Sequence, residues 1–149
     1  MGFAEKIQQE LTEAMKAREE LRLSVLRMLK SALHNRRIEK GAALEDAEAL
    51  AVVKSLVKQR RESVVEYRKA NRLELAAAEE KEIVILESYL PAAVGEEAIK
   101  AAVAEAVKET GAATPKDIGK VMKAVMARFA GQNVDGKRVN ELVRQRLSG

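Results

Sequence analysis

A chain of 149 residues with 47% hydrophobic content is long enough for one ordinary domain or two small ones around a packed core. Without cysteine it has no disulfides, no thiolate metal sites and no thiol catalysis, and it carries no apolar run long enough for a membrane span or a signal-peptide core. The net charge of +4 is modest but unevenly placed: up to Ala92 there are 17 Lys and Arg against 16 acids, and from Ala93 onward 10 against 7.

Phe3, Ile7, Leu11 and Met15 repeat every fourth position and predict a short amphipathic helix. Leu21, Val25, Met28 and Ala32, widened by Leu26, Leu29 and Leu33, predict a central helix over 21–38, with Arg22, Arg27, Lys30, Arg36 and Arg37 on or near it. The single histidine, His34, has no second His, Cys or fixed carboxylate beside it in sequence, so it reads as a surface or cap residue. Gly41 closes this segment. From Asp46, the positions Leu50, Val53, Leu56, Val57, Val64 and Tyr67 predict a long helix ending near Asn71, which tolerates the left-handed cap conformation. Its Lys58-Gln59-Arg60-Arg61 cluster could touch phosphate, but Glu62 and Glu66 lie within a turn and favour a self-paired, solvated face.

Leu73 to Leu90 reads as a fourth helix, with Ile83, Leu86 and Leu90 inward and Glu74, Glu79, Glu80, Glu82 and Glu87 on its wet side. Pro91 pushes its predecessor out of helical conformation and marks a boundary. The expected division is an N-terminal subdomain, 1–92, of about four helices and a C-terminal three-helix subdomain, 93–149. Glu96 and Glu97 open the fifth helix, Ile99, Val103, Ala106 and Val107 face inward, and Gly111 closes it.

The last stretch combines sharp helix signals with the surplus of positive charge. Thr114 is suited to the N-cap, Pro115 to the first helical position and Asp117 to the first turn. Ile118, Val121, Met122, Val125, Met126 and Phe129 then recur at helical spacing until Gly131, while Lys116, Lys120, Lys123 and Arg128 occupy the other faces. Asp135 is placed to cap a final helix with Val139, Leu142, Val143 and Leu147 inward and Lys137, Arg138, Arg144 and Arg146 outside. The expected result is a compact, positively charged helical hairpin.

No complete GxxxxGK(S/T) loop, GxGxxG, HExxH or GxSxG occurs, so no catalytic residue, cofactor or metal ligand is assigned. Only Phe3, Tyr67, Tyr89 and Phe129 are aromatic, which disfavours a reader that stacks bases. A nucleic-acid partner would be met through its backbone and shape.

Two stretches carry a family likeness. Lys69-Ala70-Asn71-Arg72, Leu75, the Glu79/Glu80/Glu82 group, Leu86 and Tyr89-Leu90-Pro91 resemble the middle of the GatB/YqeY family. Gly119-Lys120-Val121-Met122-Lys123 and Val139-Asn140-Glu141-Leu142-Val143 resemble its C-terminal motif. Leu26-Arg27-Met28-Leu29-Lys30 and Gln59-Arg60-Arg61-Glu62-Ser63 are similar to its earlier blocks, so the match runs along the whole chain in the free-standing YqeY manner. The resemblance implies an all-α, multihelical protein related to the tail region of the GatB component of glutamine-dependent tRNA amidotransferase, and with it the family label of carbon–nitrogen ligase with glutamine as amido-N-donor. Asn71 stands where the family commonly has Gly. The chain lacks the amidase Ser-Ser-Lys constellation, and the expectation is an accessory module without catalysis of its own. It would be cytoplasmic and away from membranes, docking on tRNA or on a tRNA-processing or aminoacylation complex through Lys116, Lys120, Lys123, Arg128, Lys137, Arg138 and Arg144. The alternative is a helical protein–protein adaptor that uses the Met122 and Met126 side of the hairpin.

Overall fold

The structure is a computed structural model, and it describes residues 2–148. Among the described residues it is all-α: α1 (Phe3–Lys16), α2 (Glu20–Lys40), α3 (Asp46–Lys69), α4 (Leu73–Glu87), α5 (Glu96–Thr110), α6 (Ile118–Arg128) and α7 (Gly136–Ser148), with a 3-10 turn over Pro115–Asp117. The four-then-three helix order expected from the sequence is present. The chain forms two compact units, Met1–Leu90 and Pro91–Gly149.

In the first unit, Ile7, Leu11 and Ala14 of α1 pack with Val25, Leu26, Leu29 and Leu33 of α2, and with Val53, Val57 and Val64 of α3 and Ala76, Ile83 and Leu86 of α4. Each fully buried leucine or isoleucine contributes about 1.5–3 kcal/mol through removal of apolar surface from water. Met15 and Leu21, expected inward, are exposed. The small Ala14 takes the inner position instead, and its neighbour Met15 rotates outward by the 100° step of a helix. Ala17, Arg18 and Glu19 turn the chain out of α1 in a Schellman arrangement: Glu19 N–H donates to Ala14 C=O at 3.0 Å and Arg18 N–H to Met15 C=O at 3.3 Å, with Arg18 at φ 58°. The same motif ends α3. Arg72 N–H donates to Tyr67 C=O at 2.8 Å and Asn71 N–H to Arg68 C=O at 3.0 Å, with Asn71 at φ 57°. At the other end of α3, the Glu45 backbone N–H donates to Glu48 Oε1 at 2.9 Å as half of a capping box, which puts the N-cap one residue before Asp46.

α3 and α4 form an antiparallel pair whose charges interlock. Arg61 donates to Glu87 at 2.8 Å, Arg68 pairs with Glu80, and Arg60 Nε lies 3.6 Å from Glu82 and 4.0 Å from Glu79. The α4 carboxylates are therefore not simply solvated, and the partners of Arg60 and Arg61 are Glu79, Glu82 and Glu87 rather than the nearby Glu62 and Glu66. α4 stops at Glu87, three residues short of the expected Leu90.

The second unit packs Ile99, Ala102, Val103 and Ala106 of α5 on Val121 and Val125 of α6 and on Val139, Leu142, Val143 and Leu147 of α7. Of the six apolar positions expected to line α6, only Val121 and Val125 are fully buried. Gly111, at φ 68°, ends α5 as the sequence suggested. The segment after Pro91 is tied to the α6–α7 loop: Val94 N–H donates to Asn133 C=O at 2.8 Å, and Asn133 Nδ2 donates to Pro91 C=O at 2.9 Å.

Candidate nucleic-acid interface

The hairpin begins with Thr114 and Asp117 capping one another. Asp117 Oδ2 accepts from the backbone N–H groups of Ala113 at 3.1 Å and Thr114 at 3.4 Å, which holds its carboxyl below the usual range. The first turn is 3-10 rather than α, and α6 proper starts at Ile118. On a 3.6-residue helix, Lys120 and Lys123 fall within roughly 60° of arc, on the side away from Val121 and Val125, and Lys116 precedes them in the 3-10 turn. All three lysines are exposed while both valines are fully buried, so the lysines point to solvent.

α7 is capped by Asp135, whose Oδ1 accepts from Lys137 N–H at 3.0 Å and Arg138 N–H at 3.4 Å, an N-cap as the sequence indicated. Lys137 and Arg144 are exposed on its outer face, and Arg144 Nε donates to Asn140 Oδ1 at 2.7 Å.

The two remaining arginines of the expected set behave differently. Arg128 donates to both Glu105 and Glu109 of α5, and these carboxylates raise its pKa above the ordinary arginine value. Arg138 pairs with Glu96 of α5 and with Glu141 at 2.9 Å, and holds the Glu96 carboxyl below its usual range. Both are half-buried. Among the described residues, no carboxylate lies within ion-pair distance of Lys116, Lys120, Lys123, Lys137 or Arg144. The structure thus brings Lys116, Lys120 and Lys123 together, sets Lys137 and Arg144 on the neighbouring helix, and braces Arg128 and Arg138 against α5. Sequence reasoning missed Glu96, Glu105 and Glu109 as the bracing partners, because their only sequence signal is acid content on α5.

Elsewhere, His34 lines a cavity of about 310 Å³ with Phe3, Leu33, Arg37, Leu44 and Asp46. Among the described residues, no group of three or more His, Cys, Asp or Glu is placed to hold a metal ion, and no helix is long and apolar enough to cross a membrane.

Fold and charge together define a two-unit, all-helical protein with exposed lysines on its second unit. The family model described as Yqey-like protein matches residues 4–147, and the chain belongs to the YqeY family. It is similar to three yeast proteins carrying the name "Altered inheritance of mitochondria protein 41, mitochondrial". The one from Kluyveromyces lactis is 36% identical over 95 residues, 61% of this chain and 51% of that protein. Those from Lachancea thermotolerans and Vanderwaltozyma polyspora are 34% and 29% identical over 85 residues, 56% of this chain and 46% of each protein. The chain spans about half the length of these curated relatives.

Proposed function

We propose that this protein is a non-catalytic tRNA-docking module that binds the sugar–phosphate backbone through the lysines of its second unit and works as an accessory to a tRNA-processing or aminoacylation complex in the cytoplasm. The observation that carries this reading is the division of the cations. Lys116, Lys120 and Lys123 stand exposed on one side of the hairpin, Lys137 and Arg144 stand exposed on the helix that follows, and none has a carboxylate within ion-pair distance among the described residues, whereas Arg128 and Arg138 are paired with carboxylates of α5. Unpaired cations with a buried apolar side behind them have charge left for phosphate. Resemblance to the tail region of the amidotransferase GatB component supports the same reading, and the carbon–nitrogen ligase label would then belong to the complex rather than to this chain.

The test is a titration of bulk tRNA at two salt concentrations beside a variant with Lys116, Lys120, Lys123 and Lys137 changed to Gln. Each phosphate contact contributes roughly 0.7–0.9 to the slope of log affinity against log salt, so four lysines correspond to a slope of about −3. A flat salt response in the parent protein would overturn the reading. One observation favours the adaptor alternative: Met126 is more than a third exposed beside the half-buried Met122. Capture of a partner that survives nuclease treatment and is lost on Met126→Glu would shift the assignment to protein docking.

A further inference from the structure

The cavity beside His34 has an apolar floor and charges of both signs at its rim. Ile7 of α1, Leu33 of α2 and Ala49 of α3 line it and are buried, Phe3 and Leu44 line it and are half-buried, and its volume of about 310 Å³ falls at the lower end of the range for small-molecule sites. A water molecule takes roughly 30 Å³ of liquid, so the space holds about ten non-hydrogen atoms.

Four charged side chains border the same space. Glu5 is in the first turn of α1 and Asp46 in the first turn of α3. Lys30 and Arg37 belong to α2, two helical turns apart on one face, with His34 between them. All four are exposed, and among the described residues none has an ion-pair or hydrogen-bond partner for its side chain. Elsewhere in this unit acids and bases that come within reach do pair, as Glu10 with Arg22, Glu48 with Lys40 and Glu87 with Arg61. Here the acids come from α1 and α3 and the cations from α2, and they stay beyond ion-pair distance of one another across the cavity.

A simple anion would be attracted by Lys30 and Arg37 but repelled by Glu5 and Asp46, and a simple cation would meet the reverse. A molecule that carries both charges on an apolar body satisfies every side of the site. We propose that this cavity binds a free α-amino acid with an apolar side chain, about the size of leucine. Its carboxylate meets Lys30 and Arg37, with the His34 ring as a further hydrogen-bonding group, its ammonium group meets the carboxylates of Glu5 and Asp46, and its side chain rests on Phe3, Ile7, Leu33 and Leu44. The site belongs to the first unit and stands independently of the tRNA-docking reading, which rests on cations of the second.

The experiment follows the backbone amide shifts of the isotope-labelled full chain by NMR while three compounds are titrated in turn: L-leucine, leucinamide, which lacks the carboxylate, and isocaproate, which lacks the ammonium group. Leucine is expected to shift the amides of residues 3–7, 33–37 and 43–49, and each analogue to bind about fivefold more weakly, the loss of one ion pair at an exposed rim. Lys30→Gln should weaken leucine by about the same factor and should not weaken leucinamide, which has no carboxylate to lose. Asp46→Asn should weaken leucine and should not weaken isocaproate. Ala43→Trp, which places a ring at the exposed edge of the cavity, should abolish binding of all three. Equal affinity for the three compounds would show a pocket that reads no charge and would overturn the proposal, as would shifts confined to amides away from the cavity or no shift at millimolar leucine.

Discussion

Arg22 Nη2 donates to the Tyr89 hydroxyl at 3.3 Å, joining the start of α2 to the end of the first unit. The same guanidinium reaches Glu10 of α1 at 3.2 Å, and the Tyr89 ring meets Phe3 edge-on at 6.4 Å. Tyr89 is buried, so its hydroxyl depends on this partner. Tyr89→Phe should lower stability to urea by about 1 kcal/mol, the net worth of one such hydrogen bond. Burial first, and then the Glu10 carboxylate, raise the Tyr89 pKa above its ordinary 10. A phenol that ionises later in the folded state than in the unfolded one supports folding fully below about pH 10 and loses that support as pH rises through the folded value. Urea midpoints across pH 9 to 11 should fall less steeply for Tyr89→Phe than for the parent; parallel curves would refute the assignment.

Arg18 holds the left-handed position of the α1–α2 turn at φ 58°, where a side chain with a Cβ carries a penalty of roughly 1–2 kcal/mol. Arg18→Gly should therefore raise the melting temperature in spite of the extra chain entropy of glycine, and Arg18→Val should lower it. Thermal unfolding of the two variants in parallel decides the point, and a destabilised Arg18→Gly protein would mean that the arginine side chain outweighs the backbone strain.

Glu79 shares Arg60 with Glu82, and its carboxyl is raised above the ordinary 4.5 by burial first and then by the neighbouring negative charge of Glu82. A carboxyl raised in the folded state contributes its full stability below pH 4.5 and loses it as pH climbs through the folded value. Glu79→Gln, which mimics the protonated form, should be more stable than the parent at pH 7, with the difference closing near pH 4. An equal or lower denaturation midpoint at pH 7 would show that the pairing with Arg60 outweighs the desolvation.

The braced arginines and the free lysines should separate in a salt titration. Arg128→Gln removes a pair that already satisfies Glu105 and Glu109, so it should lower the melting temperature slightly and leave the salt slope of tRNA binding unchanged. Lys120→Gln should do the reverse, reducing the slope by roughly 0.7–0.9 without a change in melting temperature. A shallower slope in Arg128→Gln would place that arginine on phosphate instead of on α5.

The helical architecture was legible in the sequence because it is built from local signals. Gly41, Asn71, Gly111 and Asp135 each end or start a helix by chemistry confined to a few residues, and the period of Ile7, Leu11, Val25 and Leu29 follows from the helix repeat alone. The outward position of Lys120 and Lys123 is legible on the same ground, as the face away from Val121 and Val125. What lay beyond reach was pairing between helices. The i,i+4 rule pointed from Arg60 and Arg61 to Glu62 and Glu66, while the true partners stand 19 to 26 positions away, Glu79 and Glu82 for one and Glu87 for the other. Arg128 and Arg138 likewise looked equivalent to the lysines until α5 was laid beside them.

The interlocked charges of α3 and α4 also fix how far along one another the two helices sit. Arg61 with Glu87 and Arg68 with Glu80 run in opposite chain directions, so they match at a single offset of the antiparallel hairpin. Sliding α4 by one turn, about 5.4 Å, would keep apolar side chains on the seam but draw both pairs apart together. Hydrophobic attraction between Val, Ile, Leu and Ala is non-directional and sets the register only through the fit of large side chains against small ones, whereas the ion pairs add a directional constraint. Exposed pairs of this kind add little to stability, yet like a vernier they favour the aligned hairpin over the slipped one.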